Sequence, residues 1–105
     1  MFQLRIYTLR SSEALERYAA IHWTRHIPSL EAFGVATHGI WTEHAGDVHR
    51  LIALISFQEG ADPTKVSSDF MASPSFAADM EGFDPADIVG VDSMLLVATD
   101  SSPLR

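Results

Sequence analysis

A chain of 105 residues, 47% hydrophobic and 20% charged, has the size of one domain and enough apolar material for one core. The absence of cysteine excludes disulfides, thiolate metal sites and a cysteine nucleophile. Seven Lys+Arg against fourteen Asp+Glu give a net charge of −7, which argues against nucleic acid or an anionic membrane as partner. The opening residues lack the apolar core of a signal peptide, and no stretch approaches the roughly 20 apolar residues of a membrane span. The expectation is a soluble, cytoplasmic protein.

Residues 2–9 alternate, with Phe2, Leu4, Ile6 and Thr8 on one side and Gln3, Arg5, Tyr7 and Leu9 on the other, the mark of a strand. Ser11 or Ser12 can cap the helix that follows, with Glu13 in its first turn. Over residues 13–33 the period becomes helical. Leu15, Tyr18, Ala19, His22, His26, Ser29, Leu30 and Phe33 share one stripe, with Trp23 at its edge. Pro28 removes a backbone donor and predicts a kink or interruption near Arg25, and Gly34 predicts the helix end. Residues 35–43 alternate again; Trp41 shares a face with Val35, Thr37 and Gly39, and His38 faces the other way. Ala45-Gly46-Asp47 forms the turn into a third, antiparallel strand over 48–57. Asp62 and Pro63 suit the start of a short helix through Met71, and Ser73-Pro74 starts a second through about Met80. A break over 82–85 precedes a final strand over 88–99 and a short tail.

The order is β-α-β-β-α-β with the second α in two pieces. This is the ferredoxin-like α+β pattern: a four-stranded antiparallel sheet with helices on one face. The whole chain forms one such domain. Leu51-Ile52-Ala53-Leu54-Ile55 is apolar on both faces, so the side of the sheet away from the helices needs a cover. A second copy of the chain is the simplest one, which predicts a homodimer through the sheet faces.

Several stretches resemble the NIPSNAP family of the dimeric α+β barrel superfamily: Leu4-Arg5-Ile6-Tyr7-Thr8-Leu9, His26-Ile27-Pro28-Ser29-Leu30, Gly39-Ile40-Trp41-Thr42-Glu43 after Gly34, Ser73-Pro74-Ser75-Phe76 and Ser102-Pro103-Leu104. Together they span nearly the whole chain. The resemblance implies a ferredoxin-like protomer that pairs through its sheets, with a cavity between sheet and helices. It does not imply one reaction, since the superfamily holds cofactor-free monooxygenases, haem-degrading enzymes, isomerases, cyclases and proteins without demonstrated catalysis. The loop His44-Ala45-Gly46-Asp47 departs from the family's usual Gly-Pro-Leu-Asn.

Among the residues that carry chemistry, His22 and His26 lie one helical turn apart on the apolar stripe and can address one point. Three roles are open to them: lining a pocket or bonding to backbone, moving protons, or binding a metal. The third lacks the Glu after the first His of the zincin pattern, where Trp23 stands, and would need His38, His49 or a carboxylate as further ligands. Proton transfer suits an imidazole at neutral pH, with Arg5 holding the resulting anion and Tyr7 orienting the substrate. Arg5 and Tyr7 face either the helices or a dimer partner. Trp23 and Trp41 are candidate substrate-binding aromatics; for Trp41, Gly39 leaves a gap beside the ring, and packing in the core or dimer seam is the plainer role. His44 and His49 flank the turn and are expected to be exposed. Asp79, Glu81, Asp84, Asp87 and Asp100 read as a solvated acidic surface, while Asp92, within a strand, would need a partner such as Arg5 if buried. No phosphate-binding glycine motif, P-loop or nucleophile elbow is present, and neither a cofactor nor a metal is expected. Two functions follow: a cofactor-independent monooxygenase, cyclase or isomerase acting on a small aromatic or polyketide-like molecule, or a non-catalytic ligand-binding or accessory protein. A haem- or metal-binding version is a third.

Overall fold

The structure is a computed structural model that describes residues 1–43 and 45–105; His44 lies outside the described residues. Its elements are β1 (Phe2–Leu9), α1 (Ser12–Arg17), a π-helical turn (Tyr18–His22), α2 (Trp23–Glu31), β2 (Ala36–Thr42), β3 (Arg50–Ser56), α3 (Pro63–Met71), α4 (Pro74–Asp79), a 3-10 turn (Pro85–Asp87) and β4 (Ile88–Leu96). The strands are antiparallel in the order β2-β3-β1-β4, with the helices on one side, which is the ferredoxin-like α+β topology. Among the described residues no helix is long and apolar enough to cross a membrane.

Helix starts follow the local chemistry. The Ser11 hydroxyl accepts from the Ala14 N–H, Asp62 from Thr64 and Lys65, and Ser73 from Phe76, with proline in the first turn of α3 and α4. After α2 the chain turns through Gly34 at φ +78°, while the Val35 N–H returns to the Leu30 carbonyl at 3.0 Å.

The long helix departs from expectation in the place of its irregularity. Helix α2 runs through Pro28, and the disturbance sits about two to three turns earlier, where the Trp23 N–H bonds to the Tyr18 carbonyl five residues back. The extra residue in that turn advances the helical phase by about 100°. Tyr18, His22, Trp23, His26 and Leu30 are all buried. Trp23 is therefore a core residue rather than the edge of a stripe.

Strand β1 sets the two faces of the sheet. Tyr7 packs edge-on against Tyr18 and Trp23, and Arg5 bonds to Ser67 in α3, so Gln3, Arg5, Tyr7 and Leu9 face the helices. The core on this side includes Leu51, Ala53 and Ile55 of β3, together with Phe57, Phe70 and Phe83. The opposite side carries Leu4 and Ile6 with their cross-strand partners Leu54 and Ile52 on β3 and Met94 on β4.

Strand β2 corrects a second expectation. Its register to β3 slips between Thr37 and Gly39, the mark of a β-bulge. His38 lies over Phe2 and bonds to the Ser56 hydroxyl at 2.7 Å, both on the open side. Beyond the bulge Gly39 and Trp41 pair with Leu54 and Ile52, so Trp41 also stands on the open side, opposite to Thr37. The gap beside Gly39 is taken by the Trp41 ring itself, which a Cβ at position 39 would overlap.

Candidate functional site

Between the helix-facing side of the sheet and α2, α3 and α4 lies a cavity of about 460 Å³, within the range that accommodates small organic ligands. Arg5 and Tyr7 enter it from β1, Tyr18 from the π-helical turn, Trp23 and His26 from α2, and Phe70 and Phe76 from α3 and α4. Of the residues marked in the sequence, the structure thus gathers Arg5, Tyr7, Trp23 and His26 around one space. It leaves two out. Trp41 is on the far side of the sheet, 53% exposed, because the bulge in β2 reverses its face. His22 does not line the cavity.

The two helix histidines have different surroundings. His22 is 1% exposed, and its Nδ1 donates to the Asp79 main-chain carbonyl at 2.8 Å. Its Nε2 has no partner among the described residues. His26 Nδ1 instead lies 2.9 Å from the Asp79 carboxylate Oδ2, while the Ser29 hydroxyl donates to Oδ1 at 3.0 Å. A carboxylate only accepts, so Nδ1 carries the proton and Nε2 keeps its lone pair. The ring is clamped by stacking on Phe76, centroids 5.6 Å apart and 4° from parallel, and by edge contacts to Trp23 and Phe70. Burial lowers the His26 pKa below its ordinary value of 6.5; Asp79 opposes this, while His22 and Arg5 add to it. At neutral pH the imidazole is uncharged and can accept a proton.

Asp79 is the residue that sequence reasoning misplaced. It is 6% exposed rather than part of a solvated acidic surface. Its main-chain carbonyl also receives Arg25 Nη1 at 3.2 Å, so one residue joins the end of α4 to four side chains, His22 in the π-helical turn and Arg25, His26 and Ser29 in α2, through its carboxylate and its carbonyl. A signal was present: Phe76, Met80 and Phe83 recur at i, i+4 and i+7, and Asp79 falls inside that stripe. Asp92, in contrast, is exposed and pairs with Ile6, across the sheet from Arg5's side. His49 is half-buried instead of exposed.

Arg5 is half-buried and held by neutral groups alone. Nε donates to Gln3 Oε1 and one Nη2 N–H to Ser67 Oγ, both at 2.7 Å. No carboxylate lies within 4 Å of it among the described residues. Burial, with Tyr7 beside it, pushes the Tyr18 phenol far above its ordinary value, so Tyr18 serves as a neutral O–H. Among the described residues no three His, Asp or Glu side chains converge as a metal site.

These features define an α+β ferredoxin-like domain with a ligand-sized, mostly apolar cavity holding one oriented imidazole and one uncompensated guanidinium. The NIPSNAP family model matches residues 2–103, and the chain belongs to that family. Three solved structures illustrate the shared fold. A NIPSNAP family protein with unknown function from Agrobacterium tumefaciens str. C58 is 16% identical, with a TM-score of 0.79 over 99% of this chain and 92% of that one. A second NIPSNAP family protein from the same organism is 20% identical, at 0.74 over 99% and 97%. An uncharacterized NIPSNAP domain protein from Burkholderia xenovorans is 15% identical, at 0.72 over 97% of each chain. No curated protein matches.

Two measurements check the Asp79 arrangement. Asp79→Ala strands the buried donor of His26 and the half-buried one of Ser29 and is expected to cost about 2–4 kcal/mol in chemical denaturation; a loss within 0.5 kcal/mol, on the order of a surface change, contradicts it. The second is pH dependence. Because the folded state disfavours the imidazolium, the stability is complete above the unfolded-state value near 6.5 and is lost as the pH falls from there through the depressed folded-state value. Thermal unfolding of the wild type should therefore decline on acidification through this window more steeply than that of His26→Asn, whose amide still donates to Asp79. Parallel curves contradict the assignment.

Proposed function

We propose that this protein is a cofactor-independent enzyme that moves a proton on a small aromatic or polyketide-like substrate, with His26 as the base. One observation carries the reading: a buried imidazole whose Nδ1–H is fixed by a carboxylate, on a ring that lines a cavity shared with Arg5. Orientation of the base by a third group is the recurring device of proton-transfer sites. In the reaction the Nε2 lone pair takes a proton from an acidic C–H or O–H next to a carbonyl or aromatic ring. The bonding pair passes into the enolate or phenolate, which Arg5 and Tyr7 orient and stabilise. Return of the proton to a different carbon is isomerisation, and attack of the enolate on an internal carbonyl is cyclisation. Addition of the same anion to dioxygen as co-substrate gives a hydroperoxide that loses water to leave a carbonyl, which is monooxygenation with the substrate as its own reductant. His22, tied to the Asp79 main chain and away from the cavity, acts as a staple and not as a second base.

The same reading includes a homodimer. Leu4, Ile6, Ile52 and Leu54 on the open face of the sheet are only half-buried, and Trp41, Met94 and Leu96 beside them are exposed. An apolar surface of this kind is rare on a lone protomer, and a second copy joined through a two-fold axis covers both at once.

Proton transfer is tested by following solvent deuterium exchange into a panel of phenols and β-dicarbonyl compounds by NMR. The wild type should accelerate exchange of at least one compound, and His26→Asn should reduce that acceleration about 100-fold or more. Equal acceleration by both proteins, or none by either, contradicts the assignment; binding without exchange leaves a non-catalytic ligand-binding protein. The dimer is tested by sedimentation at micromolar concentration. Two chains are expected for the wild type and one folded chain for Leu54→Glu, which sets a charge in the centre of the face; a monomeric wild type contradicts the pairing.

A further inference from the structure

Resting on the reading of the cavity as a ligand site, we infer that its ligand is a carboxylic acid whose carboxylate is gripped in two-point fashion by Arg5, with the apolar body lying against the aromatic wall near His26. A guanidinium has five N–H donors. In Arg5 one donor on Nε and one on Nη2 are used, both by neutral oxygens, Gln3 Oε1 and Ser67 Oγ. Three remain, two on Nη1 and one on Nη2, so each terminal nitrogen has a donor to offer. That pair matches the spacing of two carboxylate oxygens. Gln3 and Ser67 fix the plane of the fork from two elements, β1 and α3, without neutralising it.

The charge itself points the same way. The chain carries an excess of seven negative charges, yet this half-buried cation has no carboxylate within 4 Å among the described residues. Asp79, the one buried carboxylate among the described residues, is committed to His26 and Ser29. A cation withdrawn from water and left without a counter-charge is costly, and a ligand anion removes that cost. The residues beside Arg5 on the sheet are small, Ala53 on β3 and Ser93 on β4, leaving room for a head group above the strand. The larger walls, Trp23, Leu30, Phe70 and Phe76, lie on the helical side and are apolar, which suits a hydrocarbon or aromatic body and disfavours a ligand charged at both ends.

The test compares benzoate, 2-naphthoate and decanoate with their primary amides, which match in shape and lack the charge, by calorimetry on the purified protein. At least one acid should bind about tenfold or more tightly than its amide. Arg5→Gln should abolish that preference with little effect on the amide, Arg5→Lys should recover only part of it, and His26→Asn should keep it. Thermal unfolding of each variant confirms that it is folded. Equal binding of acids and amides, or a preference that survives in Arg5→Gln, overturns the head-group assignment while leaving the cavity a ligand site. Binding by neither series overturns both. Loss of proton exchange in His26→Asn is a separate readout, so the catalytic reading and the head-group assignment fail independently.

Discussion

A carboxylate taken out of water must be met by donors on every side, and Asp79 meets this demand by drawing on one helix. Its two oxygens accept from His26 and Ser29, and its carbonyl accepts from His22 and Arg25, all of them on or next to α2. The constraint acts in both directions. It anchors the end of the short helix α4, which six residues alone would not hold, and it leaves His26 a single tautomer. The cavity has its shape because α4 is tied to α2 at this point, with Phe76 stacked flat on the imidazole as the packed result.

The π-helical turn serves the same arrangement. Within and just after it, His22 and Trp23 are both buried. With one extra residue in the turn, His22 reaches the Asp79 main chain while Trp23 and His26 face the cavity. Such turns are often found where a helix carries function. The division of labour between two histidines of the same sequence spacing follows from what each nitrogen touches: a carbonyl for His22, a carboxylate for His26.

Much of this was legible in the sequence where one local rule governs a segment. The alternation of residues 2–9 placed Arg5 and Tyr7 together, the caps Ser11, Asp62 and Ser73 marked helix starts, and the order of elements led to the ferredoxin-like sheet. Strict periodicity failed where one residue was inserted into a regular element. The bulge at His38 reversed Trp41, and the π-helical turn brought Trp23 inward; both cost a single residue of phase, which no pattern of apolar spacing records. Asp79 was missed for another reason. A carboxylate is ordinarily solvated, and its burial depends on donors 50 and 53 residues away in sequence. Which face Arg5 occupies depended in the same way on Ser67, a contact between distant elements.

The central claim is that Asp79 fixes the tautomer of His26, protonated on Nδ1, while burial keeps the ring neutral and leaves Nε2 as an acceptor. Long-range proton–nitrogen NMR correlation on protein labelled with nitrogen-15 at histidine reads this state directly. At pH 7 the account predicts a His26 ring with a protonated Nδ1 and a bare Nε2, unchanged on acidification until the pH is below 6.5. A ring protonated on Nε2, or an imidazolium already present at pH 7, contradicts it.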